Sequence, residues 1–234
     1  LTNASLNSGK ANDSRNVYWL SLWADEAVQP DPPAAAIQEV RRKRQWRDGE
    51  LILMYSGNLG RGHVIHDFLE AIKPPAVGRT IRWVFVGEGA RGHEVTRFRA
   101  EHPDLPIEIL PYCSPVELPL QLRAADVHLA SLDPEWDRVM LPSKIQNIFA
   151  AGRPVIFVGS HAGTMGRWVH ESGAGWCVAP GDREGMRRAV SEAMDPAKRL
   201  DMGALAAEFA RRNLDCRERV KQLVDAFESV ACET

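Results

Sequence analysis

None of the cysteines in this chain stands in a metal-binding arrangement. Cys113, Cys177, Cys216 and Cys232 form no CxxC pair, and no histidine cluster accompanies them. That spacing argues against a zinc site and reads as reduced thiols of a cytoplasmic protein. Long apolar runs are missing too: none approaches the roughly 20 residues that span a bilayer. There is no basic-then-apolar leader of the secretory kind. An excess of one charge is also absent. Lys and Arg number 29 against 31 Asp and Glu, a net charge of −2, so no strong field marks the chain as a nucleic-acid binder. A DxD motif and clustered carboxylates are lacking, so no metal is expected at a phosphate site. The chain opens at Leu1 rather than Met and is expected to be a fragment, or a product whose true start is missing.

What is present is an ordinary globular composition, 44% hydrophobic and 26% charged over 234 residues, enough for one large domain or a domain plus a fragment. Residues 1–16 are rich in Asn, Ser and Gly and read as a loop or tail. NVYWLSLWADEAV (16–28) reads as a short strand-like run, QPDPPAAA (29–36) as an irregular link, and AIQEVRRKRQWRDGE (36–50) as a charged helix ending near Asp48-Gly49.

From Leu51 the pattern becomes regular. Apolar runs at 51–56, 82–87, 107–110, 126–132, 154–159 and 175–179 alternate with helical stretches at 63–72, 90–102, 114–125, 143–152, 164–172 and 182–194. Two further helices, near 196–213 and 216–231, close the chain. Strands apolar on both faces, each followed by a helix, predict an α/β fold with a doubly wound parallel, Rossmann-like sheet. The expected organisation is a linker region at 1–48, the α/β domain at 49–195, and helices packing on it at 196–234.

Ligands of an open parallel sheet bind at the carboxyl ends of its strands, so the strand–helix junctions are the informative residues. SGNLGRGH (56–63) follows the first strand. Its glycines let backbone approach a phosphate, and a helix opening there would offer free N–H groups to an anion. Arg61 and His63 add side-chain donors. A tight turn that needs glycine is the competing reading. VGEGARG (86–92) repeats the arrangement, with Gly87 and Gly89 at the turn and Glu88 as a hydroxyl acceptor or a solvated turn residue. LPYC (110–113) places Pro111 and Tyr112 after a strand, where the tyrosine ring faces a planar base or simply packs. Finally Pro142-Ser143-Lys144 opens a helix, a second anion site with a lysine beside it, or merely a capped helix with a surface lysine.

YSGNLGRGH, RWVFVGEG, ILPYCSPVELPLQLRAADVHLASL, LPSKIQNIFAAGRPVIFVG and GAGWCVAPGD resemble, in this order, the C-terminal domain of family 4 retaining glycosyltransferases of the GT-B fold. Those that build bacterial surface polysaccharide are the nearest likeness. The resemblance covers roughly 49–195, and PSK-x5-AAGRPVI is its most specific piece. It implies two Rossmann-like domains facing across a cleft, of which this is the donor-binding C-terminal half. Gly57, Asn58, Gly60 and His63 would lie along the donor diphosphate, and Gly87 and Glu88 beside them. Pro111 and Tyr112 would sit by the base, Ser143 and Lys144 by the diphosphate or sugar, and Asn147 by the ribose. Lys144 and Arg61 would stabilise the leaving diphosphate. Many members of the family carry two glutamates with seven residues between them; here those positions are Val139 and Asn147.

The resemblance therefore implies transfer of a sugar, with retention, from a nucleoside-diphosphate sugar to an acceptor hydroxyl. No cofactor is expected beyond that donor. The expected partners are the donor and a glycan or lipid-linked acceptor held by a missing N-terminal domain, with no nucleic acid. The expected location is the cytoplasm, with peripheral contact at the inner membrane face left open. A non-catalytic sugar-nucleotide-binding subunit and an epimerase of the same fold remain as alternatives. A nicotinamide oxidoreductase is disfavoured by the absence of GxGxxG and of a spaced ribose-binding acid.

Overall fold

The computed structural model describes residues 22–28, 32–72, 81–137, 139–140 and 143–231. Six strands form one sheet: β1 (Leu51–Ser56), β2 (Ile81–Val86), β3 (Ile107–Leu110), β4 (Val127–Ser131), β5 (Val155–Val158) and β6 (Gly175–Val178). Their order is β3-β2-β1-β4-β5-β6 and every pairing is parallel. The chain builds outward from β1 in one direction, returns, and builds outward from β4 in the other. Right-handed crossovers then put the two sets of helices on opposite faces and leave a crevice above the β1–β4 pair, where ligands of such sheets bind.

Strand side chains alternate between the faces, and both faces are covered. On one, Leu51, Leu53, Tyr55, Phe85, Leu129 and Ile156 pack with Phe68 of α2 (His66–Ile72), Val95 of α3 (Gly92–Glu101) and Met186 of α7 (Arg183–Ala193). On the other, Ile52, Met54 and Val84 meet Trp46 and Ala124, the last residue of α4 (Leu118–Ala124). Farther along that face, Val155 and Phe157 meet Ile148 and Phe149 of α5 (Lys144–Ala150), Trp168 of α6 (Thr164–Ser172) and Ala206 of α8 (Pro196–Asn213). Each fully buried large side chain contributes about 1.5–3 kcal/mol. α9 (Cys216–Ala231) closes the described chain.

Several boundaries differ from expectation. The helix α1 (Ala34–Lys43) begins inside the Pro-rich link and stops at Lys43. Gln45 takes a φ of 57°, outside the helical region. That break turns Trp46 inward, where its Nε1 donates to Glu108 at 2.7 Å. α2 begins at His66 rather than His63, because Val64 N is drawn to the Ser131 hydroxyl at 3.0 Å instead of entering a helix. α4 begins at Leu118, since Ser114 and Glu117 are taken up in a turn of their own. Residues 1–21, which include the first part of the strand-like run at 16–28, lie outside the described residues; the described part of that run, 22–28, forms no strand and ends in a 3-10 turn at Glu26–Val28. Cys232 and Pro142 also lie outside them.

Candidate functional site

The loop after β1 and the helix after β4 meet at the crevice. The backbone leaves β1 through Gly57, whose φ is +123°. A Cβ there would stand 2.8 Å from Cε of Lys144, so only glycine lets the lysine stem pass beneath the loop. Gly87, at φ +116°, is fixed more tightly: a Cβ would lie 2.5 Å from the Gly57 carbonyl oxygen and 2.9 Å from the Tyr112 ring. Hydrogen bonds carry the ladder past the strand ends. Gly57 N donates to Val86 O at 2.9 Å, Gly87 N to Leu110 O at 3.0 Å, and Leu59 N to Glu88 O at 2.8 Å. On the opposite side Asp133 N donates to Gly62 O at 2.9 Å, which ties the glycine loop to the segment after β4.

The Lys144 ammonium ends in this nest. It donates to the Asn58 carbonyl oxygen at 2.8 Å and to the Tyr55 hydroxyl, and lies 3.2 Å from Nε2 of His63. Three N–H donors thus meet three neutral acceptors. The ammonium also stands 4.1 Å from the centroid of the Tyr55 ring, within cation–π range. His63 is only 4% exposed. Its Nδ1 lies 2.5 Å from Ser131 O and donates to it, leaving Nε2 as the acceptor toward the lysine. Burial, with the lysine charge second, pushes the His63 imidazole down to about 4. Burial alone pushes Lys144 down to about 7, and burial drives the Tyr55 phenol up.

Two features leave this nest electropositive. Lys144 has no acidic partner among the described residues, and a largely buried cation without a counter-charge is costly unless a negative group arrives. In the loop above it, the amides of Gly57, Leu59 and His63 are engaged internally. Among the described residues, those of Asn58, Gly60 and Arg61 have no acceptor.

The structure thus brings Gly57, Asn58, Gly60, His63, Gly87, Glu88, Tyr112 and Lys144 around one crevice. Glu88 acts through its backbone, accepting from Leu59 N and, at 3.4 Å, from the Tyr112 hydroxyl; its side chain is exposed. Tyr112 is 54% exposed, and Pro111 beside it is exposed as well. Arg61 is exposed, and its side chain makes no hydrogen bond or ion pair among the described residues. Ser143 and Asn147 line an adjoining cleft of about 440 Å³ with Trp23 and Asp25, and Oδ1 of Asn147 accepts from Asp25 N at 2.8 Å. The expected pair of helix N-termini needs correction. α2 and α5 have 7 residues each, and the Ser143 side chain does not cap α5. Loop amides and the lysine, rather than long helix dipoles, supply the positive potential.

Three contributors were not picked out by sequence reasoning. Tyr55 reads there as a core strand residue. Ser131, at the end of β4, holds His63 and Val64. Arg91 donates to His63 O and pairs with Glu94 at 2.6 Å. Among the described residues no group of three or more His, Cys, Asp or Glu side chains is placed to hold a metal ion, and no helix is long and apolar enough to cross a membrane.

The family described as "Glycosyl transferases group 1" matches residues 50–195. Over 201 residues the chain is 27% identical to a probable glycosyltransferase, WbjE, of Pseudomonas aeruginosa, covering 84% of this chain and 47% of that protein. It is 23% identical to the putative colanic acid biosynthesis glycosyl transferase WcaI of Escherichia coli, covering 96% of this chain and 54% of that one. The chain therefore spans about half the length of these curated relatives. The fold is shared with Anabaena HepE, solved in complex with UDP-glucose: TM-score 0.74 at 15% identity, covering 88% of this chain and 56% of HepE.

Proposed function

The chain belongs to the group 1 glycosyl transferases, and from that premise we propose that it is the donor-binding half of an enzyme that moves a sugar from a nucleoside-diphosphate sugar to an acceptor hydroxyl, with retention. The observation that carries this reading is a Lys144 ammonium with no acidic partner among the described residues, beneath a glycine loop whose Asn58, Gly60 and Arg61 amides have no acceptor among them, at the point where the sheet reverses its strand order. A diphosphate supplies both the missing negative charge and acceptors for the amides. UDP is the nucleotide to test first, because HepE, of the same fold, was solved with UDP-glucose.

In the reaction the diphosphate leaves as the glycosidic bond breaks, and negative charge collects on its oxygens. Lys144 stabilises that charge through its field, since its N–H groups are already held by Tyr55, Asn58 and His63. The loop amides supply direct hydrogen bonds. Exposed Arg61 is free to fold over the phosphates once they are bound. Tyr112 offers a ring face to the base. Asn147 approaches the ribose through its amide hydrogens, since its carbonyl oxygen is committed to Asp25. This arrangement works without a metal ion. The acceptor, a glycan or lipid-linked sugar of surface-polysaccharide synthesis, is held by a second domain outside this chain, on the cytoplasmic side with peripheral contact at the membrane face.

Titration calorimetry of the chain with UDP, GDP and NADH, with and without EDTA, tests the reading. The expected result is binding of a nucleoside diphosphate that is indifferent to chelation. Binding of NADH alone, or of none, would remove it.

A further inference from the structure

We infer that Tyr55 is a positioning residue for the diphosphate site: its hydroxyl locks the Lys144 ammonium to the underside of the glycine loop. The inference rests on the donor-binding reading above and adds to it a residue from inside the sheet.

Tyr55 is the penultimate residue of β1 and is fully buried, its ring among Phe68, Phe85 and His63. A ring so placed would serve packing equally well as phenylalanine. The hydroxyl is what differs, and both of its functions are used. It donates to the Asn58 carbonyl oxygen at 2.9 Å and accepts from Lys144 Nζ. The lysine donates to that same carbonyl oxygen at 2.8 Å. Tyrosine, lysine and loop backbone therefore close a triangle of hydrogen bonds. A phenol donor is consumed at Asn58 O, so its lone pairs face the ammonium and no alternative orientation competes.

The triangle matters because, among the described residues, the lysine has no carboxylate to hold it. The titratable groups around it are Tyr55 from β1 and His63 from the loop, with Arg91 reaching the His63 carbonyl oxygen from the turn before α3. His63 is a neutral acceptor and Arg91 repels. Only neutral dipoles keep a charged, four-carbon stem pinned where it adds to the loop's potential. Without the Tyr55 hydroxyl, the ammonium loses one of three partners and Asn58 O loses one of two. The lysine is then free to leave the crevice for solvent.

The test compares wild type, Tyr55→Phe, Lys144→Ala and the double variant in UDP titrations across pH. Tyr55→Phe is expected to weaken UDP roughly tenfold, the scale of a hydrogen bond to a charged group. In the Lys144→Ala background the same change is expected to cost nothing further. The pH at which affinity declines should also move downward, because the ammonium has lost an acceptor that favoured its charged form. A folded Tyr55→Phe protein with wild-type affinity and pH profile would overturn the inference, as would an equal additional loss in the double variant. A second measurement stands if Tyr55→Phe does not fold. In wild type, NMR of lysine side chains labelled with 15N should show Lys144 Nζ hydrogens in slow exchange with water, and fast, averaged exchange would also overturn it. If wild type bound no nucleotide while this signal persisted, the donor-binding reading would fail and the lock itself would stand.

Discussion

The ammonium of Lys144 lies 2.8 Å from the carbonyl oxygen of Asn58, although the two residues are 86 positions apart in the chain. One sits in the loop after β1 and the other opens the helix after β4, so their contact is a direct consequence of parallel β1–β4 pairing. Lys144→Ala is expected to lower UDP affinity about 10- to 100-fold, the equivalent of about 1.5–3 kcal/mol for a charged interaction. Arg211→Ala, at an exposed α8 position that pairs with Glu208, is expected to leave it unchanged. Equal affinities for the two variants in calorimetry would dissociate the crevice from nucleotide binding.

Donor affinity should depend on pH through the same lysine. Its folded-state value is pushed down to about 7 by burial, so the ammonium is largely present below that pH and is lost above it. UDP should bind more tightly near pH 6.5 than near pH 8, with a midpoint at about 7. The phosphates of free UDP ionise in the opposite sense, gaining charge as pH rises. A decline on the alkaline side is therefore attributable to the protein, and its disappearance in Lys144→Ala is the check.

Gly87→Ala is expected to destabilise the fold by about 2 kcal/mol or more and to weaken UDP binding together with it. The φ of +116° is strained for alanine, and the Cβ would press on the Gly57 backbone rather than on a yielding side chain. Urea unfolding followed by circular dichroism measures the first effect. An alanine variant of wild-type stability would mean that the two glycine loops are not wedged together as described.

How far this could be read from the sequence depends on which interactions set each feature. The six strands stand out because each is a short apolar run buried on both faces, a pattern imposed by the parallel sheet. The start of α2 does not, because it is decided by Val64 N bonding to Ser131 Oγ, a contact across 67 residues that no local pattern encodes. The end of α1 fails for a related reason: the gain from burying Trp46 overrides continued helix. In the crevice, the glycines, His63 and Lys144 are conspicuous as glycine clusters and basic residues at strand–helix junctions. Tyr55 is hidden because alternation along β1 assigns it to the core, where its ring indeed lies, and gives no hint of where its hydroxyl points.

Tyr112→Ala should separate binding from stability. The ring is more than half exposed and its hydroxyl is held only weakly, at 3.4 Å from Glu88 O, so the melting temperature is expected to stay put. Stacking of a base on an aromatic ring is worth about 1–3 kcal/mol, and UDP affinity should fall by roughly five- to a hundredfold. A ribose-free phosphate ligand such as pyrophosphate should not notice the change. Equal losses for UDP and pyrophosphate would place the tyrosine at the phosphates instead of the base.

Two buried histidines make the fold sensitive to acid. His63 and the fully buried His128, whose Nε2 donates to Leu122 O at 2.9 Å, are each pushed down to about 4 by burial. In the unfolded chain both imidazoles take up protons near 6.5. Between those values the unfolded state binds more protons than the folded one, so stability is fully present above about pH 6.5 and is lost progressively toward pH 4. Lys144 does not offset this, since it is protonated in both states throughout that window. Urea unfolding at about pH 7, 5.5 and 4.5 should show a falling free energy of several kcal/mol in all. Imidazole NMR signals of His63 and His128 should stay in their neutral form down to about pH 5 while the chain remains folded. Either signal titrating near 6.5 would show that ring to be solvated, and for His63 it would also remove the neutral acceptor on which the position of the Lys144 ammonium depends.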